Sequence, residues 1–486
     1  MCGIICLRET RENPVGTLVH RGPDAFDAVS VGDTQLLFYR LAINDLSDTG
    51  MQPFVSPDGT KAMVCNGEIF NHLDMLTGLE VTQSDCEPLF HLLCNRSGDD
   101  ISDIVRNLRG EFAFAFVDGA KLFVGRDPLG VRPLFMSTTT DGGVAFASEA
   151  KVLRGTNINV FPPGCIYGPS HTCDVYYDVG KCLPFHFDAH KIRGTLEEAV
   201  RIRVGNSDQP VGFLLSGGLD SSLVAGIAKK WMKGRPIRTF SVGMEGSPDL
   251  KYAQQVADYL GAEHTEVFFT APQLWANLPD ALWSMETWDT TTIRAGLPMW
   301  YLARWISKNT DIKVVVSGEG SDELFGGYLY FHNAPSAAEF QQETLRRLKY
   351  IHQFDGLRAD RCISAHGLEL RCPFLDDRLV SLVTSLDPGL KICGNIIEKY
   401  ILRKAFDHPH PLIPPDVLWR QKEAFSDGVG NGWVDFLRER GEDVYGHLFD
   451  MHFPGRRHLI CERWMPRWTP SATDPSARVE KLTIRT

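Results

Sequence analysis

The chain has 486 residues, of which 43% are hydrophobic and 23% are charged, and its formal charge is −11. This length allows a large buried core and two or three domains. The negative charge disfavours a broad nucleic-acid-binding face, and the longest apolar runs fall far short of the roughly 20 residues that cross a bilayer. We therefore expect no nucleic-acid partner and no membrane span.

The N-terminus and the cysteines indicate a reducing compartment. The first residues lack the basic start and the long apolar stretch of a secretory signal. The 12 cysteines are too sparse for a disulfide scaffold, and no CxxC pair suggests structural zinc. We expect a cytoplasmic protein whose thiols, apart from Cys2, are reduced and mostly buried.

The first 180 residues are rich in short strand patterns. The predicted strands are 35–41, 62–65, 111–117, 122–125 and 144–147. Helical pattern is scarce here and is clearest at 85–94. This half is expected to form a layered, β-rich α+β domain.

After residue 180, strand and helix patterns alternate along the chain. The predicted strands are 211–215, 237–242, 266–269 and 313–316, and the predicted helices are 221–232 and 249–260. Such alternation predicts an α/β domain built on a doubly wound parallel sheet. Periodicity is lost at 178–188, so we place the linker there and the two domains at 1–180 and 181–486.

Cys2 is a candidate nucleophile. If an aminopeptidase removes Met1, which a small second residue permits, Cys2 carries both a thiol and the free α-amino group. That amine has an ordinary pKa of roughly 7.7 to 8.0 and can act as the base for the thiol. The alternative is that Cys2 merely begins a buried strand.

Other residues of this half supply groups that an amide-cleaving thiol needs. Asn66 and Gly67 follow a predicted strand and offer a side-chain amide and a backbone N–H that can converge on an oxyanion. Arg40 offers a guanidinium for a carboxylate, and Asp85 can hold an ammonium group. Within the segment 20–24, an arginine and an aspartate can instead pair with each other and order a loop.

Six segments together resemble the glutaminase domain of class II amidotransferases, the N-terminal nucleophile (Ntn) type. They are MCGI at 1–4, HRGPD at 20–24, RL at 40–41, NGEIFN at 66–71, SD at 84–85 and GRDPLGVRPLF at 125–135. The resemblance implies an Ntn fold in which the Cys2 thiolate attacks the side-chain amide of glutamine and releases ammonia. It makes Asn66 and Gly67 the oxyanion hole and gives Arg126 and Asp127 a structural role. The glutamine-binding residues that it implies are Arg40, Leu41, Ala42, Ile43, Asn44, Asn66, Gly67, Glu68 and Asp85.

The segment SGGLDSS at 216–222 lies between a predicted strand and a predicted helix. Its backbone N–H groups and the helix N-terminus form an anion cradle, although it lacks the Walker A pattern. Asp220 beside a polyphosphate is explained if Mg²⁺ bridges the two, because a bare carboxylate would be repelled. The structural alternative is a glycine turn with a serine cap.

This loop resembles the SGGxDS loop of ATP pyrophosphatases, which split ATP between its α- and β-phosphates and form acyl-adenylates. Further matching segments are SPDL at 247–250, TTTIR at 290–294, SGEGSDELFGGY at 317–328, RCPFLD at 371–376 and WRQKEAFSDGVG at 419–430. With the first half, they resemble glutamine-hydrolysing asparagine synthetases over residues 1–440. The resemblance implies that ATP adenylates the β-carboxylate of aspartate and that ammonia then displaces AMP.

The same resemblance assigns residues to each ligand. Those expected around ATP and pyrophosphate are Leu214, Ser216, Gly217, Gly218, Asp220, Ser221, Val242, Ser317, Gly318 and Lys422. Those expected around aspartate and the intermediate are Thr291, Thr292, Arg294, Glu319 and Asp322. Glu319 is the expected base for incoming ammonium, Lys422 helps to neutralise the polyphosphate, and Asp220 holds Mg²⁺ through pyrophosphate. Asp322 and Glu323 have an alternative as helix caps or solvated groups, and Lys422 has one as a surface lysine.

Several alternatives stay open. The enzyme can be an amidotransferase that adenylates a different acid, or a β-lactam-forming relative whose Cys2 half is idle; TTTIR, GEGSDE and RQKEAF favour aspartate. The chain can also be an inactive homologue that binds glutamine or a nucleotide, or a structural scaffold, and the intact Cys2, Asn66, Asp220, Glu319 and Lys422 weigh against both. A homodimer is expected only by analogy with bacterial-type relatives.

Overall fold

The computed structural model describes residues 1–468 apart from 12, 15, 76–82, 97–100, 155–156, 182–185, 233, 393–395, 424, 442 and 458–465. Part of the predicted linker, residues 182–185, therefore lies outside the described residues. The chain divides into two compact units. The first unit contains Met1–Asp178, Asn206–Pro210 and Ser364–Glu369, and the second contains Val179–Gly205, Val211–Ile363 and the chain from Leu370 onward. We keep 1–180 and 181–486 as proposed domains.

The first unit is mostly strands. Its strands are β1 (Gly3–Arg8), β2 (Ala25–Val31), β3 (Thr34–Arg40), β4 (Phe54–Val55), β5 (Lys61–Ile69), β6 (Gly110–Asp118), β7 (Lys121–Arg126), β8 (Phe135–Thr138), β9 (Val144–Ala147), β10 (Asn159–Val160), β11 (Cys165–Tyr167) and β12 (Cys173–Val175). Its described helices of the α type are α1 (Glu87–Asn95) and α2 (Ser102–Arg106).

These strands form two antiparallel sheets within the described residues. Their orders are β10-β8-β9-β1-β3-β2 and β12-β11-β7-β6-β5-β4. One apolar core joins residues of both sheets, and a second lies between the outer face of the β5 sheet and the helices α1 and α2. The layered α+β architecture expected for an Ntn domain is therefore confirmed.

Alternation along β5 decides which of its side chains lie between the sheets. Ala62 and Val64 belong to the core between the sheets, whereas Met63 and Cys65 pack towards α1. Because successive side chains of a strand point to opposite faces, Asn66 lies on the same face as Val64. That face meets the sheet that carries Cys2, which packs against the same core. The sequence pattern thus brings Asn66 and Cys2 to one layer.

The second unit is built around a sheet with the order β15-β14-β13-β16-β17. Its strands are β13 (Val211–Leu214), β14 (Arg238–Gly243), β15 (Glu263–Phe268), β16 (Val314–Val316) and β17 (Glu369–Arg371). The pairs β13–β14, β13–β16 and β14–β15 are parallel. Since parallel crossovers are right-handed, the change of direction at β13 places helices on both faces of the sheet. This confirms the predicted doubly wound α/β fold.

The helices of the second unit connect and surround this sheet. They are α3 (Ala189–Gly205), α4 (Leu219–Lys229), α5 (Pro248–Leu260), α6 (Ala271–Ala276), α7 (Leu278–Met285), α8 (Thr290–Asn309), α9 (Ser321–Phe325), α10 (Ala337–Tyr350), α11 (Asp355–Ser364), α12 (Asp377–Thr384), α13 (Tyr400–Phe406), α14 (Pro415–Leu418), α15 (Phe425–Gly428), α16 (Asn431–Arg438) and α17 (Asp443–His452). Among the helices described, none is both long and apolar enough to cross a membrane.

Candidate active sites

Cys2 lies directly before β1, and its thiol contacts the peptide that follows β3. The backbone N–H of Leu41 donates to Cys2 Sγ at 3.4 Å, and the thiol donates to the Leu41 carbonyl at 3.6 Å. Burial raises the pKa of this thiol to about 11, although the charge of the neighbouring terminal amine opposes the rise. The thiol therefore needs a base to react at neutral pH.

Met1 fills a buried position next to Cys2. Its amine donates to the Leu368 carbonyl at 3.1 Å, and Arg132 donates to its sulfur at 2.7 Å. Burial lowers the pKa of this amine to about 5. While Met1 is present, the free amine thus belongs to Met1 rather than to Cys2.

Asn66 and Gly67 have the features expected of an oxyanion hole. Asn66 is fully buried, and neither Nδ2 nor Oδ1 of its amide has a hydrogen-bond partner among the described residues. A buried amide without partners costs free energy, which points to a ligand that satisfies it. At Gly67, a Cβ would collide with the backbone of Glu111 and Phe112 on β6, so only glycine fits there.

The predicted glutamine-binding residues surround this site. Arg40 donates to the Ser47 carbonyl at 2.8 Å and to the carbonyl of Asp45, which fixes its guanidinium. The Asn44 amide donates to Glu68 at 2.6 Å and more weakly to Asp85 at 3.4 Å. These contacts bring carboxylates and a guanidinium together, as recognition of an amino acid requires.

Backbone contacts order the rest of the pocket. The N–H of Ala42 donates to Asp24 at 2.9 Å, and the carbonyls of Ala42 and Ile43 accept from the side chain of Gln209 and the N–H of Asp208. The N–H of Ile69 donates to Asp85 at 2.8 Å, while burial raises the pKa of that carboxyl. An ammonium ligand would offset this burial cost.

The HRGPD segment does not form the internal arginine–aspartate pair that we considered. Arg21 is fully buried. It donates to the Cys2 carbonyl at 2.9 Å and pairs with Glu149 at 3.2 Å instead. Arg126 donates to three backbone carbonyls, and Asp127 accepts three backbone N–H groups of the following turn. The predicted structural role of Arg126 and Asp127 fits these contacts.

A cleft of about 210 Å³ lies in the second unit. It opens where the strands β13, β14 and β16 end, near Leu214, Val242 and Ser317. Between β13 and β16 the strand order reverses, and ligands of open α/β sheets bind at such a point beyond the carboxyl ends of the strands. The fold therefore selects this cleft as the second candidate site.

The loop at 216–222 forms one wall of the cleft. Ser216 accepts from the N–H of Gly218 at 3.4 Å, and its hydroxyl lies 3.1 Å from that of Ser221. Gly217 has a φ of +71° and packs against Tyr252, so this position requires glycine. Gly218 is the N-cap of the eleven-residue helix α4, whose N-terminus thus faces the cleft. This geometry fits the predicted anion cradle.

Two lysines and two aspartates meet at the start of α4. Lys399 lies 2.5 Å from both Asp220 and Asp322, and Lys422 lies 2.8 Å from Asp322. Burial would raise the pKa of Asp322, but the two ammonium groups outweigh it and hold that pKa low. The four charges cancel, so a bound polyphosphate would need a further cation.

Of the residues predicted around aspartate, the structure brings some to the cleft. Thr291, Glu319 and Asp322 line it, and the Thr291 hydroxyl has no partner among the described residues. The N–H and the hydroxyl of Thr292 instead both donate to Asp289, which is the N-cap of α8. Arg294 is buried, and it, Thr292 and Gly217 do not line the cleft.

Sequence reasoning gave no role to several charged residues that line the cleft. Among them are Asp355, Arg358, Lys399, Arg403 and Arg420. Arg420 donates to the Gly217 carbonyl at 3.1 Å and to Asp249 at 3.0 Å, which ties the loop to α5. Lys399 follows Glu398 in the segment IEKYILR, which carries no motif that indicates a site.

Comparisons with known proteins identify the family of the chain. A family model described as glutamine amidotransferase domain matches residues 1–161, and one described as asparagine synthase matches 191–339 and 333–454. The chain is 38% identical over 563 residues to a probable glutamine-hydrolysing asparagine synthetase of Dictyostelium discoideum, covering 100% of both chains. It is 40% identical over 536 residues to the human asparagine synthetase, covering 95% of this chain and 94% of the human one. The relative from Triphysaria versicolor is 40% identical over 525 residues, covering 98% of this chain and 88% of that protein. These matches show that the chain belongs to the asparagine synthetase family.

Proposed function

We propose that this chain is a glutamine-hydrolysing asparagine synthetase, a ligase that makes asparagine from aspartate, glutamine and ATP. The observation that supports this proposal is that one chain contains two sets of functional groups, one for each half of the reaction. One is a thiol with an unsatisfied amide on the facing sheet. The other is a phosphate-type loop with two lysines in a cleft at the strand-order reversal.

In the first site, the amine of Cys2 acts as base once Met1 is removed. The thiolate attacks the side-chain carbonyl carbon of glutamine, and the amide of Asn66 and the N–H of Gly67 stabilise the oxyanion. Ammonia leaves, and water then hydrolyses the thioester to glutamate. Arg40 binds the α-carboxylate of glutamine and Asp85 its α-ammonium group, with Glu68 held by Asn44.

In the second site, the β-carboxylate of aspartate attacks the α-phosphorus of ATP, and pyrophosphate leaves. Leu214 and Val242 lie at the strand ends beside ATP, while Ser216 and Gly218 face the phosphates. Ammonia then attacks the adenylate carbonyl, and AMP departs. Glu319 takes the proton of the incoming ammonium, for which its place in the cleft is suited.

Mg²⁺ is part of the proposal. Within the described residues, no three acidic, histidine or cysteine side chains form a group that could hold a metal ion. Asp220 lines the cleft beside the anion cradle, and one carboxylate together with substrate phosphates is a common way to hold this ion. When bound, Mg²⁺ supplies positive charge at the phosphates. Asp220 would hold it.

The test is to supply purified protein with ATP, Mg²⁺ and aspartate, and either glutamine or ammonium chloride. We expect asparagine, AMP and pyrophosphate in equal amounts with either nitrogen source, and none without aspartate. If the folded protein releases pyrophosphate with another acid but not with aspartate, the enzyme adenylates that acid instead. Absence of any asparagine with both nitrogen sources contradicts the proposal.

A second prediction concerns Gly67. We expect Gly67→Ala to lower glutamine hydrolysis by at least about tenfold, since loss of one oxyanion donor costs about 10²- to 10³-fold and the new methyl displaces this segment from β6. Ammonium-dependent asparagine formation should stay near that of the unaltered enzyme. Gly168→Ala, where a Cβ meets open space, is the matched control. Equal glutaminase rates for the two variants would exclude a tight fit at Gly67.

A cytoplasmic location and a homodimer complete the proposal. The location is supported by the cysteine content, which is too sparse for a disulfide scaffold and fits a reducing compartment. The dimer rests on analogy with bacterial-type relatives, and light scattering of the purified protein tests it.

A further inference from the structure

Glu319 is held by one arginine. Both of its carboxylate oxygens accept from Nη2 of Arg358, at 2.8 and 2.7 Å. Nη1 of the same guanidinium donates to Asp355 at 2.5 Å. Asp355 and Arg358 lie one turn apart on α11, so the helix itself sets the direction in which the guanidinium points.

The stem of Arg358 is confined as well. A Cβ at Gly296 on α8 would meet Cγ of Arg358 at 3.2 Å, which shows how closely the two helices approach. Arg358 is 6% exposed. Packing against α8 thus fixes the aliphatic part of Arg358, and the bond to Asp355 fixes Nη1. The other terminal nitrogen, Nη2, is left for Glu319.

A second arginine also pairs with the carboxylate of Asp355. Arg347 on α10 donates to the other oxygen of Asp355 at 2.9 Å and to Glu323 at 3.2 Å. The Tyr328 hydroxyl donates to Glu323 at 2.5 Å. Because Arg347 neutralises Asp355, the charge of Arg358 is available to Glu319.

The charges of this group balance if one carboxyl is protonated. Three carboxyls, those of Glu319, Glu323 and Asp355, meet the two arginines 347 and 358. Burial and the charge of Asp355 raise the pKa of Glu323 to about 8, so Glu323 carries the proton at neutral pH. Burial would also raise the pKa of Asp355, but the two arginines outweigh it and lower that pKa. This leaves Asp355 ionised and provides one guanidinium each for Asp355 and Glu319.

Three charged groups act on Glu319 from neighbouring elements. Burial raises the pKa of Glu319, Arg358 opposes the rise, and Asp355 adds to it. Lys422, from the loop before α15, also opposes it. A base must be ionised when its proton arrives, and Arg358 is the group in direct contact that favours this state.

We propose that Arg358 is the positioning residue of Glu319. Its guanidinium, which Asp355 anchors through Nη1, keeps the carboxylate of Glu319 ionised and directed into the cleft. This inference rests on the proposed function, in which Glu319 accepts a proton from ammonium. In this role, Arg358 acts through Glu319.

The experiment compares pH profiles of ammonium-dependent asparagine formation. In Arg358→Met, the pKa of Glu319 rises, so the acidic limb of the profile should move to higher pH by about one unit. At a given pH on that limb, the rate should be about tenfold lower. In Asp355→Asn, an amide oxygen can still accept from Arg358, while a negative charge beside Glu319 is lost. The acidic limb should therefore move to lower pH. Rates are expressed relative to the unaltered enzyme at each pH, which cancels the titration of ammonium.

Three further variants separate this role from a structural one. Arg358→Lys should recover part of the shift, because it restores the positive charge without the fork. In a Glu319→Gln background, Arg358→Met should cause no further movement of the limb. Arg201→Met removes the exposed Arg201–Glu198 pair on α3, and it should leave the profile unchanged.

The outcomes distinguish the two proposals. If the unaltered enzyme makes no asparagine from ammonium, the proposed function fails. If it does, and the limb stays in place in Arg358→Met or moves in the same direction in Asp355→Asn, the positioning role is wrong. Aspartate-dependent exchange of pyrophosphate into ATP reports adenylation alone. If pyrophosphate exchange and asparagine formation fall in parallel and the acidic limb does not shift, Arg358 has only a structural role.

Discussion

Replacing Cys2 by alanine is expected to abolish glutamine-dependent asparagine formation while ammonium-dependent formation continues. The glutaminase rate should fall by at least about 10³-fold, because removal of the nucleophile ends the covalent route. The second site is lined by residues of the second compact unit, whereas Cys2 belongs to the first. The activity of the second site with ammonium should therefore stay near that of the unaltered enzyme.

The argument depends on the removal of Met1. With Met1 present, the pKa of the Cys2 thiol is about 11, and the only α-amine belongs to Met1. Little thiolate then exists at neutral pH. Once Met1 is absent, thiol and amine share one residue, and the amine can take the proton. Alanine, like cysteine, is small enough to permit this processing, so the variant differs only in the thiol.

Asparagine, glutamate and pyrophosphate are measured with each nitrogen source, and mass spectrometry establishes that Met1 is absent from both proteins. Cys173→Ala is the matched control, because Cys173 is exposed on β12. It should retain both activities. A glutaminase rate for Cys2→Ala within about tenfold of the control would show that another group attacks glutamine. Loss of the ammonium-dependent reaction as well would show that the substitution disturbs the second site.

Much of the fold could be predicted because its strands are apolar and its turns carry clear signals. The strand predicted at 144–147 is the observed β9, and the strand at 35–41 differs from β3 by one residue at each end. The strand predicted at 266–269 begins three residues earlier, at Glu263. Its first half is polar, and His264 bonds across the sheet to Thr239 at 2.8 Å, a pairing that apolar periodicity does not register.

Sites were predictable where their residues are contiguous. The loop at 216–222 and the pair Asn66–Gly67 form local structures whose chemistry can be inferred from their order in the chain. Lys399 and Arg358 come from segments without a motif and reach the cleft only through tertiary packing. The short segments 206–210 and 364–369 join the first unit for the same reason. No local pattern encodes contacts between residues more than a hundred positions apart.

The backbone at Lys399 adds an independent sign of function. Its φ is +58°, a left-handed conformation that costs a non-glycine residue roughly 1–2 kcal/mol. Gly327 makes room for its side chain, since a Cβ there would collide with Lys399 and Asp322. Strain of this kind persists where the surrounding structure requires it, and it is concentrated at functional sites.

Replacing Lys399 by methionine is therefore expected to remove asparagine formation from both glutamine and ammonium, by at least about 10²-fold. Its ammonium group lies between Asp220 and Asp322 at the start of α4, where the proposed polyphosphate arrives. Without it, the group formed by Asp220, Asp322 and Lys422 carries one excess negative charge, which repels the phosphates. Lys422→Met should act in the same direction, because Lys422 completes the charge balance. The glutaminase rate should be unaffected in both.

Lys399→Met also leaves two partly buried carboxylates short of a partner, which can lower the free energy of unfolding by about 3–5 kcal/mol. A double variant, Lys399→Met with Asp322→Asn, separates the two effects. It restores the charge balance, so we expect stability to recover in urea unfolding while aspartate-dependent release of pyrophosphate stays low. Lys404→Met, on the exposed side of α13, is the control. Asp322→Asn alone is measured beside it, because Asp322 is itself predicted to bind aspartate. If the double variant regains activity together with stability, Lys399 serves only to neutralise the aspartates; if its activity stays well below that of Asp322→Asn, the charge of Lys399 is needed at the phosphates.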